Sequence, residues 1–135
     1  VNVDPFIESE SIDKNKNSNY KSISIRAEDP NLNQAGIEKA DEIWATWSVP
    51  LYLKKAQDIQ QLFNNIDSLL AVGGICRIYP ISLLNFMGPA EEVFKDVDGF
   101  SEREKAWLTS VAELLQSGNY NMTIIGGCMH LQKIA

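Results

Sequence analysis

The sequence predicts an α/β fold in which an open, mostly parallel sheet is flanked by helices and closes on an antiparallel hairpin. Three observations predict it. First, the run Ile43-Trp44-Ala45-Thr46-Trp47-Ser48-Val49 is dense in β-formers and stops at Pro50, as a buried strand does. Second, Ile59, Leu62, Phe63, Ile66, Leu69 and Leu70 recur at three- and four-residue steps, which builds one apolar stripe on a helix over 53–70. Gly73 and Gly74 end that unit, and 75–81 is strand-like again. The order strand, helix, glycine turn, strand implies a right-handed crossover, with 43–49 and 75–81 as a parallel pair. Third, the strand-like runs 120–125 and 128–134 flank Gly126 and Gly127, a two-residue hairpin signal.

The other elements follow in order. Residues 1–3 form a short β-branched stretch stopped by Asp4-Pro5, since proline removes a ladder donor. Residues 8–19 are rich in Ser, Asn, Lys and Asp and read as a loop. Alternation over 20–26 gives a second strand, which ends at Glu28, Asp29 and Pro30. Residues 31–39 suit a short helix weakened by Gly36, and the next strand covers 42–49. Residues 83–100, broken at Gly88-Pro89 and Gly99, carry Leu84, Phe86, Met87 and Phe94 as material for a flap. A helix over 101–116 has a capping box at Ser101 and Glu104, an apolar stripe of Trp107, Val111, Leu114 and Leu115, and a stop at Gly118.

Bulk properties narrow the class of function. A length of 135 residues suits one domain, 1–135, with a hydrophobic core. Hydrophobic residues make up 44% and charged residues 22%, the balance of a globular, water-soluble protein. The formal charge of −6 repels phosphate backbones, and Lys14 to Lys16, broken by asparagine, read as a solvated loop, so nucleic acid is not expected as a partner. No apolar run approaches the roughly 18 residues that cross a bilayer, and no charged-then-apolar leader opens the chain, which points to the cytoplasm. Cys76 and Cys128 lack metal-ligand spacing and read as small buried hydrophobes. The chain opens on Val1 with residues that already read as strand, so an upstream segment is expected.

This order of elements resembles the class I S-adenosylmethionine-dependent methyltransferases, a Rossmann-like fold whose last strand slips in antiparallel. Asp4, at the tip of the first strand, matches the acid that in the family bonds the ribose hydroxyls of the cofactor. Glu28 and Asp29 resemble the acidic turn beside the adenine. The segment Ala40-Asp41-Glu42-Ile43-Trp44-Ala45-Thr46-Trp47-Ser48-Val49-Pro50 is similar to the family's fourth strand, after which substrate-facing residues gather near the reacting methyl. Leu69-Leu70-Ala71-Val72-Gly73-Gly74-Ile75 resembles the leucine-rich helix end and Gly-Gly turn before the fifth strand.

The resemblance implies S-adenosylmethionine as cofactor, methyl transfer to a small molecule or protein, and Asp4, Glu28, Asp29 and Trp47 as cofactor-binding residues. Ser48, Pro50 and Tyr52 would face the substrate. It also implies the strand order 3-2-1-4-5-7-6, in which the family's first strand and its glycine-rich loop are missing from this chain. That strand would lie between 1–3 and 43–49, and omitting it leaves a gap of about 10 Å. An upstream segment or another chain is expected to supply it, or the flanking strands pair directly.

Each site residue has a structural alternative. Asp4 before Pro5 is also a common turn, and Glu28 and Asp29 are also simple solvated acids. Trp44 and Trp47 fall on opposite faces of a strand, so at least one belongs to the core, and Trp47 is the one near the ligand edge. Tyr52 either lines a pocket or caps the next helix. His130, the only histidine, reads as structural, and neither a general base nor a metal ligand is assigned. Ser48-Val49-Pro50-Leu51 lacks the Asp/Asn-Pro-Pro-aromatic form used on amino groups of bases and glutamine. The alternatives for the whole domain are an inactive methyltransferase-like binding module and another nucleotide-binding Rossmann enzyme.

Overall fold

The computed structural model describes residues 2–3, 22–23, 26–46, 53, 55–81 and 102–135. Within them the elements are β1 (Asn2–Val3), β2 (Ser22–Ile23), a 3-10 turn (Pro30–Gln34), β3 (Ala40–Thr46), α1 (Ala56–Leu69), β4 (Leu70–Tyr79), α2 (Glu102–Gln116), β5 (Tyr120–Ile125) and β6 (Cys128–Lys133). The fold is α/β. β1 and β2 form a parallel pair, and a second, mixed sheet has the order β3-β4-β6-β5.

β3 and β4 are parallel, with Ile43 opposite Cys76 and Ala45 opposite Ile78, as the crossover through α1 requires. β6 runs antiparallel to β4, and β5 antiparallel to β6, so β5 points the same way as β4. The sheet is therefore mixed, with one parallel contact and two antiparallel ones. Gly126 and Gly127 both take positive φ in the hairpin turn, a conformation that costs residues with a Cβ and costs glycine little.

Three elements differ from the sequence-based expectation. Asp29 caps a 3-10 turn over Pro30–Gln34 in place of the helix expected over 31–39; its carboxylate accepts the Asn31 N–H, and Pro30 supplies a pre-set φ. Leu70 belongs to β4, which starts directly where α1 ends. Gly73 and Gly74 consequently lie inside β4 and do not form a separate turn. The register moves from Ala40 opposite Leu70 to Glu42 opposite Ile75, so the glycines sit in a bulge that lets β4 realign on β3.

Both helices cover one face of the four-stranded sheet. Ala45, Cys76, Ile78, Met129, Leu131 and Tyr120 form the sheet side of the core, and Ile59, Leu62, Phe63, Ile66, Trp107, Leu108 and Val111 form the helix side. Phe63 and Trp107 join the helices edge to face, with centroids 5.4 Å apart, a geometry worth about 1 kcal/mol beyond burial. The opposite face, carried by alternate residues such as Trp44, Arg77 and His130, has no described helix on it. Among the described residues, no helix is long and apolar enough to cross a membrane.

Candidate functional site

The parallel pair fixes a carboxyl edge and an amino edge. Thr46, Tyr79 and the Gly126-Gly127 turn lie at the carboxyl edge, where open α/β sheets place their ligands. The Ile81 N–H donates to the Gly127 carbonyl at 3.0 Å, which ties the exit of β4 to the hairpin turn. The amino edge carries a structural cluster: Tyr120 Oη donates to Asp67 Oδ1 at 2.7 Å, and Lys133 Nζ lies 2.6 Å from the Asp67 carbonyl and 3.0 Å from Oδ1. Lys133 thereby satisfies a carbonyl in the last turn of α1.

Of the residues singled out from sequence, Glu28 and Asp29 are described. Asp4, Trp47, Ser48, Pro50 and Tyr52 lie outside the described residues. Glu28 and Asp29 share a turn closed by the Asp29 N–H donating to the Arg26 carbonyl at 3.0 Å. Their environments differ. Asp29 spends Oδ1 on the Asn31 N–H at 2.8 Å. Glu28 is buried, at 8% exposure; Oε1 accepts from Arg26 Nη1 at 3.3 Å, and Oε2 is buried with no partner among the described residues. Simple solvation therefore does not describe Glu28.

The turn is held from behind by Asn65. Its Nδ2 donates to the Ala27 carbonyl at 2.7 Å and to the Asp29 carbonyl at 2.8 Å, while Oδ1 accepts from Gln61 Nε2 at 3.0 Å. This amide is 1% exposed and uses both of its donors. α1 runs from the carboxyl edge towards the amino edge, and Asn65 lies roughly 13 Å along its axis from Ala56. The acidic turn is thus fixed on the flank of the helical layer, part-way down from the carboxyl edge. Asn65 was the sequence's unread signal: it is a polar residue three positions after Leu62, on the stripe that packs inward.

A second cluster occupies the open face of the sheet. Arg77 lies over the Trp44 ring at 4.7 Å from its centroid and 3.2 Å from Glu42 Oε2, and Trp44 Nε1 donates to the same oxygen at 3.0 Å. Trp44 remains 63% exposed, so it is not a core residue. Glu42 and Trp44, two positions apart on β3, share one face, and Arg77 joins them through the register Trp44 opposite Arg77. His130 stands opposite Arg77 on β6, on the same face.

Burial pushes the Cys76 thiol up to about 12, and this makes it an inert core group. Among the described residues, no group of three or more His, Cys, Asp or Glu is placed to hold a metal ion. No protein family and no curated protein matches the chain.

Proposed function

We propose that the chain carries the greater part of a Rossmann-like, class I S-adenosylmethionine-dependent methyltransferase domain acting on a small molecule or a protein. One observation carries this reading: the order β3-β4-β6-β5, with β6 wedged antiparallel between two strands that point the same way. In the family's order 3-2-1-4-5-7-6, this is the run 4-5-7-6. The parallel pair of β1 and β2, separate from that sheet, suits the family's strands two and three, with the first strand left between them and β3.

On this reading Asp4 holds the ribose by accepting from paired hydroxyls, the Glu28 and Asp29 turn faces the adenine, and Trp47 stacks near it. Ser48, Pro50 and Tyr52 follow β3 and shape the acceptor side. S-adenosylmethionine supplies the methyl group when bound. The chain's contribution is alignment of donor and acceptor and exclusion of water, with no residue assigned as general base. An upstream segment or another chain supplies the central strand and its glycine-rich loop.

Calorimetry with S-adenosylhomocysteine tests the reading on two polypeptides: the 135-residue chain and the product of the gene's full reading frame. Tight binding is expected for the second and weak or no binding for the first. Binding of NAD in place of S-adenosylhomocysteine would move the protein to another nucleotide-binding class. Absence of all nucleotide binding would leave the inactive-module reading. Tight binding by the 135-residue chain would show that no additional strand is needed.

A further inference from the structure

We infer that β5 is a self-association edge: two copies of the chain pair β5 with β5, antiparallel, about a twofold axis at Met122, and so join their sheets into one. The inference goes beyond the cofactor reading and does not depend on it. Among the described residues the sheet ends at β5, whose outer side has no neighbouring strand. Edge strands are ordinarily guarded by a lysine, a proline or a bulge. β5 reads Tyr-Asn-Met-Thr-Ile-Ile, with no charge and no proline, and it pairs with β6 without a shift of register. The opposite edge differs, since β3 carries Asp41 and Glu42 and takes part in the bulge with β4.

The register decides which backbone groups are on offer. The two-residue turn makes Ile125 and Cys128 a hydrogen-bonded pair, so Thr123 with His130 and Asn121 with Gln132 are hydrogen-bonded pairs too. The Ile134 N–H, which donates to the Asn119 carbonyl at 2.8 Å, keeps the same phase. Tyr120, Met122 and Ile124 therefore turn their N–H and C=O groups away from β6. A twofold axis at Met122 sets that residue opposite its own copy and Tyr120 opposite the second copy's Ile124, so all of these groups find partners. The same residues face the helical layer, where the core thins out: Met122 and Ile124 are only half-buried, as are Leu114 and Leu115 near the end of α2. A second copy on this edge covers them with its own apolar margin. Charge favours the edge as well. The chain carries −6, which opposes self-association in general, and β5 is a strand on which two copies meet without apposing like charges.

Light scattering after size exclusion tests this on the full-reading-frame protein, over a concentration series. The wild type is expected to reach twice the mass of one chain. Met122→Pro removes an outward N–H and leaves the bonds to β6 intact, the setting in which an edge strand tolerates proline, and is expected to lose half the measured mass at equal concentration. Should it fail to fold by circular dichroism, Met122→Lys takes its place, because it brings two ammonium groups together at the axis, and the same loss is expected. Trp44→Ala removes the exposed tryptophan of the open face and is expected to leave the mass at two chains. A wild type with the mass of one chain at every concentration overturns the inference, whether another part of the polypeptide covers β5 or nothing does. A dimer that survives the Met122 variant, or one that Trp44→Ala abolishes, overturns it too, by placing the contact elsewhere.

Discussion

Asp67 shows how a single side chain joins three elements at the amino edge of the sheet. Burial by itself would raise its carboxyl, but hydrogen bonds from Tyr120 and Lys133 and the Lys133 charge outweigh this and hold it below the ordinary carboxylate value. A depressed carboxyl contributes stability that is present above its unfolded value, near about 4, and is lost as pH falls through the folded value. Asp67 is half-exposed, so solvent screens its charge, and Asp67→Ala is expected to cost only about 0.5–1 kcal/mol at neutral pH, chiefly by removing the acceptor of the Tyr120 hydroxyl. Its deficit against the wild type should shrink on the acid side of pH 4. Urea denaturation of both proteins at neutral and acid pH measures this; a deficit that stays constant with pH would show that the charge of Asp67 is irrelevant. Glu28 and Asn65 make the complementary point, since one is a buried acid with an oxygen unpaired among the described residues and the other a buried amide with both donors used.

At the scale of an element, the entry of β4 turns on two adjacent glycines with different needs. A Cβ on Gly74 would stand 2.9 Å from the Ala71 carbonyl, from the Asp41 carbonyl and from the Leu70 side chain. Two of those neighbours are backbone and have no room to yield. Gly73 has open space around it but a φ of 88°. Gly74→Ala is expected to cost about 1–3 kcal/mol through overpacking, whereas Gly73→Ala should cost about 1 kcal/mol through backbone conformation alone. Denaturation midpoints of the two variants check the order. A Gly74→Ala protein no less stable than Gly73→Ala would mean that the bulge does not press β4 against β3.

For the whole molecule, the sheet's pairing pattern sets where it opens. β4 is paired on both sides, by β3 and β6, and its inner face lies in the core, so the amides of Cys76 and Ile78 should exchange slowest of those described. β3 is paired on one side only among the described residues, and half of its amides point away from β4. In the 135-residue chain those outward β3 amides are expected to exchange fast while β4 stays protected. In the full-reading-frame protein they should become protected, because the proposed central strand pairs with β3. Hydrogen exchange read by NMR decides it, and equal protection of these amides in both proteins would remove the inserted strand from the account.

The local code was enough for much of the fold. The apolar stripe of α1, the β-former run of β3, and the hairpin at Gly126 and Gly127 are short-range patterns, and each appears as an element close to where periodicity put it. The parallel pairing of β3 and β4 was also legible, because a helix between two strands leaves one handed way back to the sheet. The start of β4 was not: a Gly-Gly pair reads locally as a turn, and only the approach of the Asp41 carbonyl to Gly74 makes it part of a strand. Nor was the state of the acidic turn legible. The sequence set two acids side by side, and contacts from a helix more than thirty positions away, through Asn65, decided where the Ala27 and Asp29 carbonyls on either side of Glu28 point. Propensity and periodicity act over a few residues and so are written in the chain. Burial, register and the pairing of a particular oxygen depend on which distant residues arrive beside it, and the tertiary structure alone supplies those.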